Sequence, residues 1–172
     1  MGGGIIELGR GQIIRLPEDI ERRLTAGVQK APLGNGGMPQ TGRVTHTLRQ
    51  KAARILHEAG WGLPPLPIVW SSRMARCAGL FVVEKDHRGV WHPEIRLSIP
   101  LLRRRDWPWP LQVCGMNCHT PEEVVQRILE HELIHYKLWK DGVDFGHTER
   151  FRELAWSAFC HQSITHGIGA EP

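Results

Sequence analysis

The chain has 172 residues, 41% hydrophobic and 23% charged, a balance that suits one ordinary globular domain and excludes a disordered or fibrous protein. No apolar run approaches the roughly 20 residues of a membrane-spanning helix. Residues 1–7 lack the basic start and long apolar core of a secretory signal, and four scattered cysteines do not make a disulfide framework. The expectation is a cytoplasmic protein with no membrane partner. A net charge of +4 hints at an anionic partner, and 10 histidines point more specifically to a metal ion.

Residues 1–46 read as an N-terminal extension. Gly9 and Gly11 interrupt the apolar stretch 5–16, which allows at most a short hairpin. Residues 17–24 read as a short helix, with Pro17 in its first turn and acids ahead of bases. Residues 32–39 are dense in turn formers and read as a link. A domain then spans 47–166, followed by a tail at 167–172. In 47–59, Leu48, Ala52, Ile55, Leu56 and Ala59 share one helical face, and Gly60 with Pro64-Pro65 stops the helix. Strands are expected at 66–70, 78–84 and 94–99, the last two joined by the turn-rich 85–89, which together suggest a small antiparallel sheet. Residues 100–110 read as a basic, aromatic loop. Thr120 opens the clearest helix, with Pro121 at the first position and Glu123 at the third. It should run to about Lys140, with Val124, Ile128, His131, His135 and Trp139 along one side. A last helix is expected from near His147 to near His161, burying Phe151, Leu154, Ala155 and Ala158. The fold class is therefore α+β.

The Thr120 helix carries His131-Glu132-Leu133-Ile134-His135, an H-E-x-x-H pattern. Positions four apart lie one turn apart on the same helical face, so two imidazoles can reach one ion at about 2.0–2.1 Å each. Glu132, beside the first ligand, can reach a metal-bound water. His147, at the start of the last helix, is the third candidate ligand. Three protein ligands with one open position make a catalytic zinc site, whereas four close a structural one. Glu149 or Glu153 could replace His147 as third ligand, and the histidines could also be ordinary helix residues satisfied by hydrogen bonds. The compact pattern with a third histidine at position 141 is excluded, because Asp141 stands there.

These residues resemble the SprT-like zinc metalloprotease domain, shared by bacterial SprT proteins and the Spartan proteases. The likeness rests on residues 131–135 and on Gly146-His147 with Phe151 following. Upstream, residues 66–74 resemble the family's first strand, and Ala78-Gly79 with Ile95-Arg96-Leu97-Ser98 the hairpin before the active-site helix. It covers roughly residues 47–162. It implies a zincin-like fold with a three-stranded sheet packed on the active-site helix, a bound Zn2+, and hydrolysis of a protein or peptide substrate. His131, His135 and His147 would hold the metal, and Glu132 would activate water. It further implies a substrate strand pairing near 94–99, and proteins associated with or crosslinked to DNA as a substrate class. Tyr136 stands where family members commonly have Ala, and neither a C-terminal zinc ribbon nor the Spartan partner motifs occur in the sequence.

Arg103, Arg104, Arg105, Trp107 and Trp109 mix cations with aromatics as single-stranded DNA grips do; a solvated charge run beside packed tryptophans is the plainer alternative. Cys114 and Cys118 have a spacing within the zinc-loop range, with Cys160-His161 the nearest second half, although an ordinary loop accounts for them as well. Cys77 has no evident partner. His46, His57, His87, His92 and His166 read as single surface or capping residues. A non-catalytic alternative for the whole chain is a DNA-binding module with a structural zinc site.

Overall fold

The apolar face expected at 47–59 is realised in a longer helix, α1 (Gln40–Glu58), which buries Leu48, Ala52, Ile55 and Leu56. The computed structural model describes residues 5–8, 12–15 and 40–168, with side chains from 47 onward. Strands β1 (Ile5–Leu8) and β2 (Gln12–Arg15) form the antiparallel hairpin allowed at 5–16. The helix expected at 17–24 and the link at 32–39 lie outside the described residues. Gly60 takes φ 68° and ends α1.

The central sheet corrects one expectation. Its strands are β3 (Ile68–Ser71), β4 (Gly79–Lys85) and β5 (Trp91–Ser98), in the order β3-β5-β4. β4 and β5 pair antiparallel, but β3 and β5 pair parallel, so the sheet is mixed. The connection 72–78 carries the chain across the sheet, and the β4–β5 hairpin then returns β5 alongside β3. Ile95 and Leu97 are wholly buried, as a central strand requires. Residues 95–98 are therefore paired on both sides, and a substrate strand cannot pair there; the outer strands are β3 and β4.

Beyond β5, a single helical turn, α2 (Ile99–Leu102), opens the basic segment. A second hairpin follows, β6 (Leu111–Val113) with β7 (Met116–Cys118). Cys114 and Gly115 turn it with φ of 52° and 76°, the two positive values that a tight hairpin turn needs.

The longest helix, α3 (Pro121–Lys140), starts where its capping signals place it: Thr120 Oγ1 accepts from Glu123 N at 3.2 Å. Helix α4 (Glu149–Phe159) is capped by Thr148 and is shorter at both ends than the expected 147–161. Residues 128–134 of α3 are all buried in succession, so this helix is covered on every side rather than along one stripe. The sheet and α1 cover it, as do the β6–β7 hairpin and α4. The mixed α+β arrangement thus carries His131, Glu132 and Glu130 into the interior. Among the described residues, no helix is long and apolar enough to cross a membrane.

Candidate functional site

The one-turn spacing of His131 and His135 brings their Nε2 atoms to 3.1 Å on the face of α3 that meets the start of α4. His147, just before α4, adds a third Nε2 at 2.9 Å from that of His131. The three nitrogens cluster as ligands of one metal ion would. Tetrahedral bonds of about 2.0–2.1 Å would put them about 3.3–3.4 Å apart, close to the spacing seen. An imidazole nitrogen offers either one proton or one lone pair, so three such atoms facing one another cannot all be satisfied among themselves. A cation at the centre satisfies all three.

A flanking contact sets the tautomer of His135. His135 Nδ1 donates to the Phe145 carbonyl, leaving the Nε2 lone pair directed at the cluster. Burial pushes the His131 imidazole well below its usual range, with His166 and then His135 and His147 adding to the effect. Burial also lowers His135, against the opposing pull of Glu132 and the Phe145 carbonyl. Both rings are thus held neutral, the form a metal binds. Phe151, fully buried, packs against all three rings with centroids 4.6–4.9 Å away. His131 is buried, His135 half-buried and His147 exposed, so the cluster opens to solvent on the His147 side.

Glu132 is buried next to this cluster. Burial alone would raise its carboxyl, but His166, His135 and the Phe81 N–H outweigh burial and hold it below the ordinary value. It is therefore a carboxylate. Gly79 at the start of β4 makes room for it, because a Cβ there would lie 2.7 Å from Glu132 Oε1 and 2.5 Å from Ile128 Cγ2. Cys77 lies nearby and stays a thiol, pushed up by burial and by Glu132.

His166 overturns the reading of it as a surface or capping residue. It is buried, its Nε2 lies 2.9 Å from Glu132 Oε1, and its ring meets that of His131 at 4.1 Å between centroids. Sequence reasoning missed it because no periodic element carries it. The only signal was an excess of histidines near the C-terminus.

Glu149 and Glu153, the alternative third ligands, point away and pair with Arg152 and Arg150 on the exposed side of α4. Tyr136 packs, as its angle around the helix requires, and donates to the Pro64 carbonyl at 3.1 Å. Cys114 and Cys118 are buried thiols, and no metal-ligating group of three includes either among the described residues. Cys160 is exposed, and His161 pairs instead with Glu130, Nε2 to Oε2 at 2.9 Å.

The basic segment lies apart. Arg104 pairs with Asp106 at 2.7 Å and stacks over Trp107, and Arg103 stacks over Trp70. Trp107 is half-buried in the core, while Arg105 and Trp109 are exposed. Searches among protein-family models, curated proteins and solved structures find no match for this chain.

Proposed function

We propose that this chain is a zinc-dependent metallopeptidase. The observation that carries the reading is the convergence of three imidazole nitrogens, two of them on the helix that also carries the buried, ionised Glu132. His131, His135 and His147 would hold the ion; nitrogen ligands also accept other divalent metals, and zinc is favoured by three histidines with one side left open. A bound zinc ion supplies Lewis acidity and a water acidified toward neutrality. Glu132 accepts a proton at its carboxylate and delivers it to the departing amine. Burial around Glu132 keeps competing water away from that transfer, and the exposure of His147 leaves a path for a peptide. A substrate strand that pairs with the sheet would use an outer strand, and β4 is the one that closes on Glu132, at Gly79.

The resemblance to SprT-like proteases supports the same reading and alone suggests DNA-associated proteins as the substrate class. The test is metal analysis paired with cleavage of casein or histone by the zinc-loaded chain, with and without single-stranded DNA. Cleavage that Glu132→Gln abolishes while zinc stays bound is the expected result. Zinc binding with no cleavage by the wild type would instead favour a DNA-binding module with structural zinc. Stimulation by single-stranded DNA would support the DNA-linked role.

A further inference from the structure

The peptidase reading assigns no task to His166, although it is buried against both Glu132 and His131. Its position is built with care by the fold. After α4 the chain doubles back across the β6–β7 hairpin, where Cys114 clamps it. The Cys114 carbonyl accepts from Gln162 N at 3.0 Å and Ser163 N at 3.1 Å, and Cys114 N donates to the His166 carbonyl at 3.3 Å. Gly115 permits the crossing, since a Cβ there would come within 2.8 Å of Gln162 Cβ. Ile168, buried just beyond, anchors the far end.

We propose that His166 is a positioning residue for Glu132. Its Nε2 lies 2.9 Å from Oε1 on the tail side, an ion-pair contact without hydrogen-bond alignment, while on β4 the backbone at Gly79 closes on the carboxylate so tightly that a Cβ would lie 2.7 Å from Oε1. A glutamate has several rotatable bonds, and close neighbours on the tail and on β4 narrow its choice of orientation beside the imidazole cluster. The contact stands on geometry; its effect on rate rests on the metallopeptidase reading. His131, Glu132 and His166 also place ligand atoms within 4.8 Å of one another. A second cation there would make His166 a ligand instead, and metal stoichiometry separates the two.

The experiment compares zinc-loaded full-length wild type with H166A, H166Q and G115A. Under the proposal kcat on casein-derived peptide falls roughly 10–100-fold in H166A, the range of an outer-shell partner, with KM nearly constant and one zinc per chain retained. H166Q restores part of the rate, because its amide N–H can reach the carboxylate. G115A lowers kcat in the same direction by displacing the tail without altering the imidazole. Independently of activity, the His166 ring nitrogen resonance in the zinc-loaded protein moves in E132Q. Unchanged kcat in H166A, zinc lost from H166A, or two zinc ions in the wild type would each overturn the role. An inactive wild type would overturn the peptidase reading instead, and His166 would then be judged by its resonance, an unmoved signal counting against the pair.

Discussion

Helix α3 and the basic segment 103–109 both concentrate charged and aromatic residues, yet they organise them in opposite ways. Around α3 the polar groups converge: the ring nitrogens of His131 and His135 meet that of His147 from the start of α4, and Glu132 sits buried beside them. In 103–109 the charged groups are exposed and pair off singly, with Arg104 on Asp106 two residues away and Arg103 on Trp70 of β3. A buried polar group must find a partner or cost several kcal/mol of desolvation, roughly 2–7 for an uncharged one, so its arrangement is informative about function. An exposed charge meets no such demand. The cluster around α3 is therefore one that could hold a metal ion, whereas the basic segment specifies only a charge.

The largest effect that would break this contrast is at Glu132. Glu132→Gln should lower kcat by roughly 10²–10⁴, the span of a lost general base, with zinc content and melting temperature preserved. A variant with wild-type turnover would remove the site from the reaction altogether. Next comes His147→Ala. As a direct ligand it should weaken metal affinity beyond the roughly 10–100-fold typical of an outer-shell partner, as measured by chelator competition, while Glu149→Ala and Glu153→Ala leave affinity unchanged. The reverse pattern would move the third ligand to α4's exposed side.

How far these regions were legible in the sequence follows from how local their causes are. The cap at Thr120, the extent of α3 and the one-turn spacing of His131 and His135 depend on neighbours in the chain, and all appear where the sequence places them, whereas the single apolar stripe gives way to burial all round because several elements close on α3. His147 is met again because it lies just ahead of a helix whose Phe151 must be buried. The parallel pairing of β3 with β5 was not legible, because β3's partner is chosen by where the connection 72–78 lands, not by alternation within either strand. His166 was not legible for the same reason: its place is decided by hydrogen bonds to Cys114, on a hairpin whose strands are too short to show alternation. The stacking of Arg103 on Trp70 is likewise a contact between distant segments.

Effects on stability should be smaller and confined to the buried side. Glu130 accepts from Arg127 at 2.6 Å, Gln126 at 3.0 Å and His161 at 2.9 Å, and lies almost fully buried. His161→Ala removes one partner and leaves two, so it should cost about 1–3 kcal/mol, the desolvation left uncompensated, read as a lower denaturation midpoint. Gly79→Ala should cost a similar 1–3 kcal/mol or so by overpacking, and should also slow turnover, since the new methyl would press on Glu132 itself. Slowed turnover distinguishes it from His161→Ala, whose effect should appear in stability with kcat nearly intact.

The smallest effect belongs to the exposed region. Arg104 draws the Asp106 carboxyl down to about 2, through a direct hydrogen bond first and charge attraction last. A carboxylate held below its unfolded value contributes stability above that value, near 3.8, and loses it as pH falls toward 2. The pair is fully exposed, so solvent screens the contribution and salt weakens it further. Asp106→Asn should therefore lower the melting temperature slightly at neutral pH. The difference from wild type should shrink as the solution is acidified through the window below 3.8, and added salt should diminish it. The substitution also releases Arg104 and raises the net positive charge of the segment. Tighter, salt-sensitive binding of single-stranded DNA by the variant would show that the segment meets nucleic acid through its cations. Unchanged binding would leave 103–109 as a solvated face, apart from the histidine cluster that α3 organises.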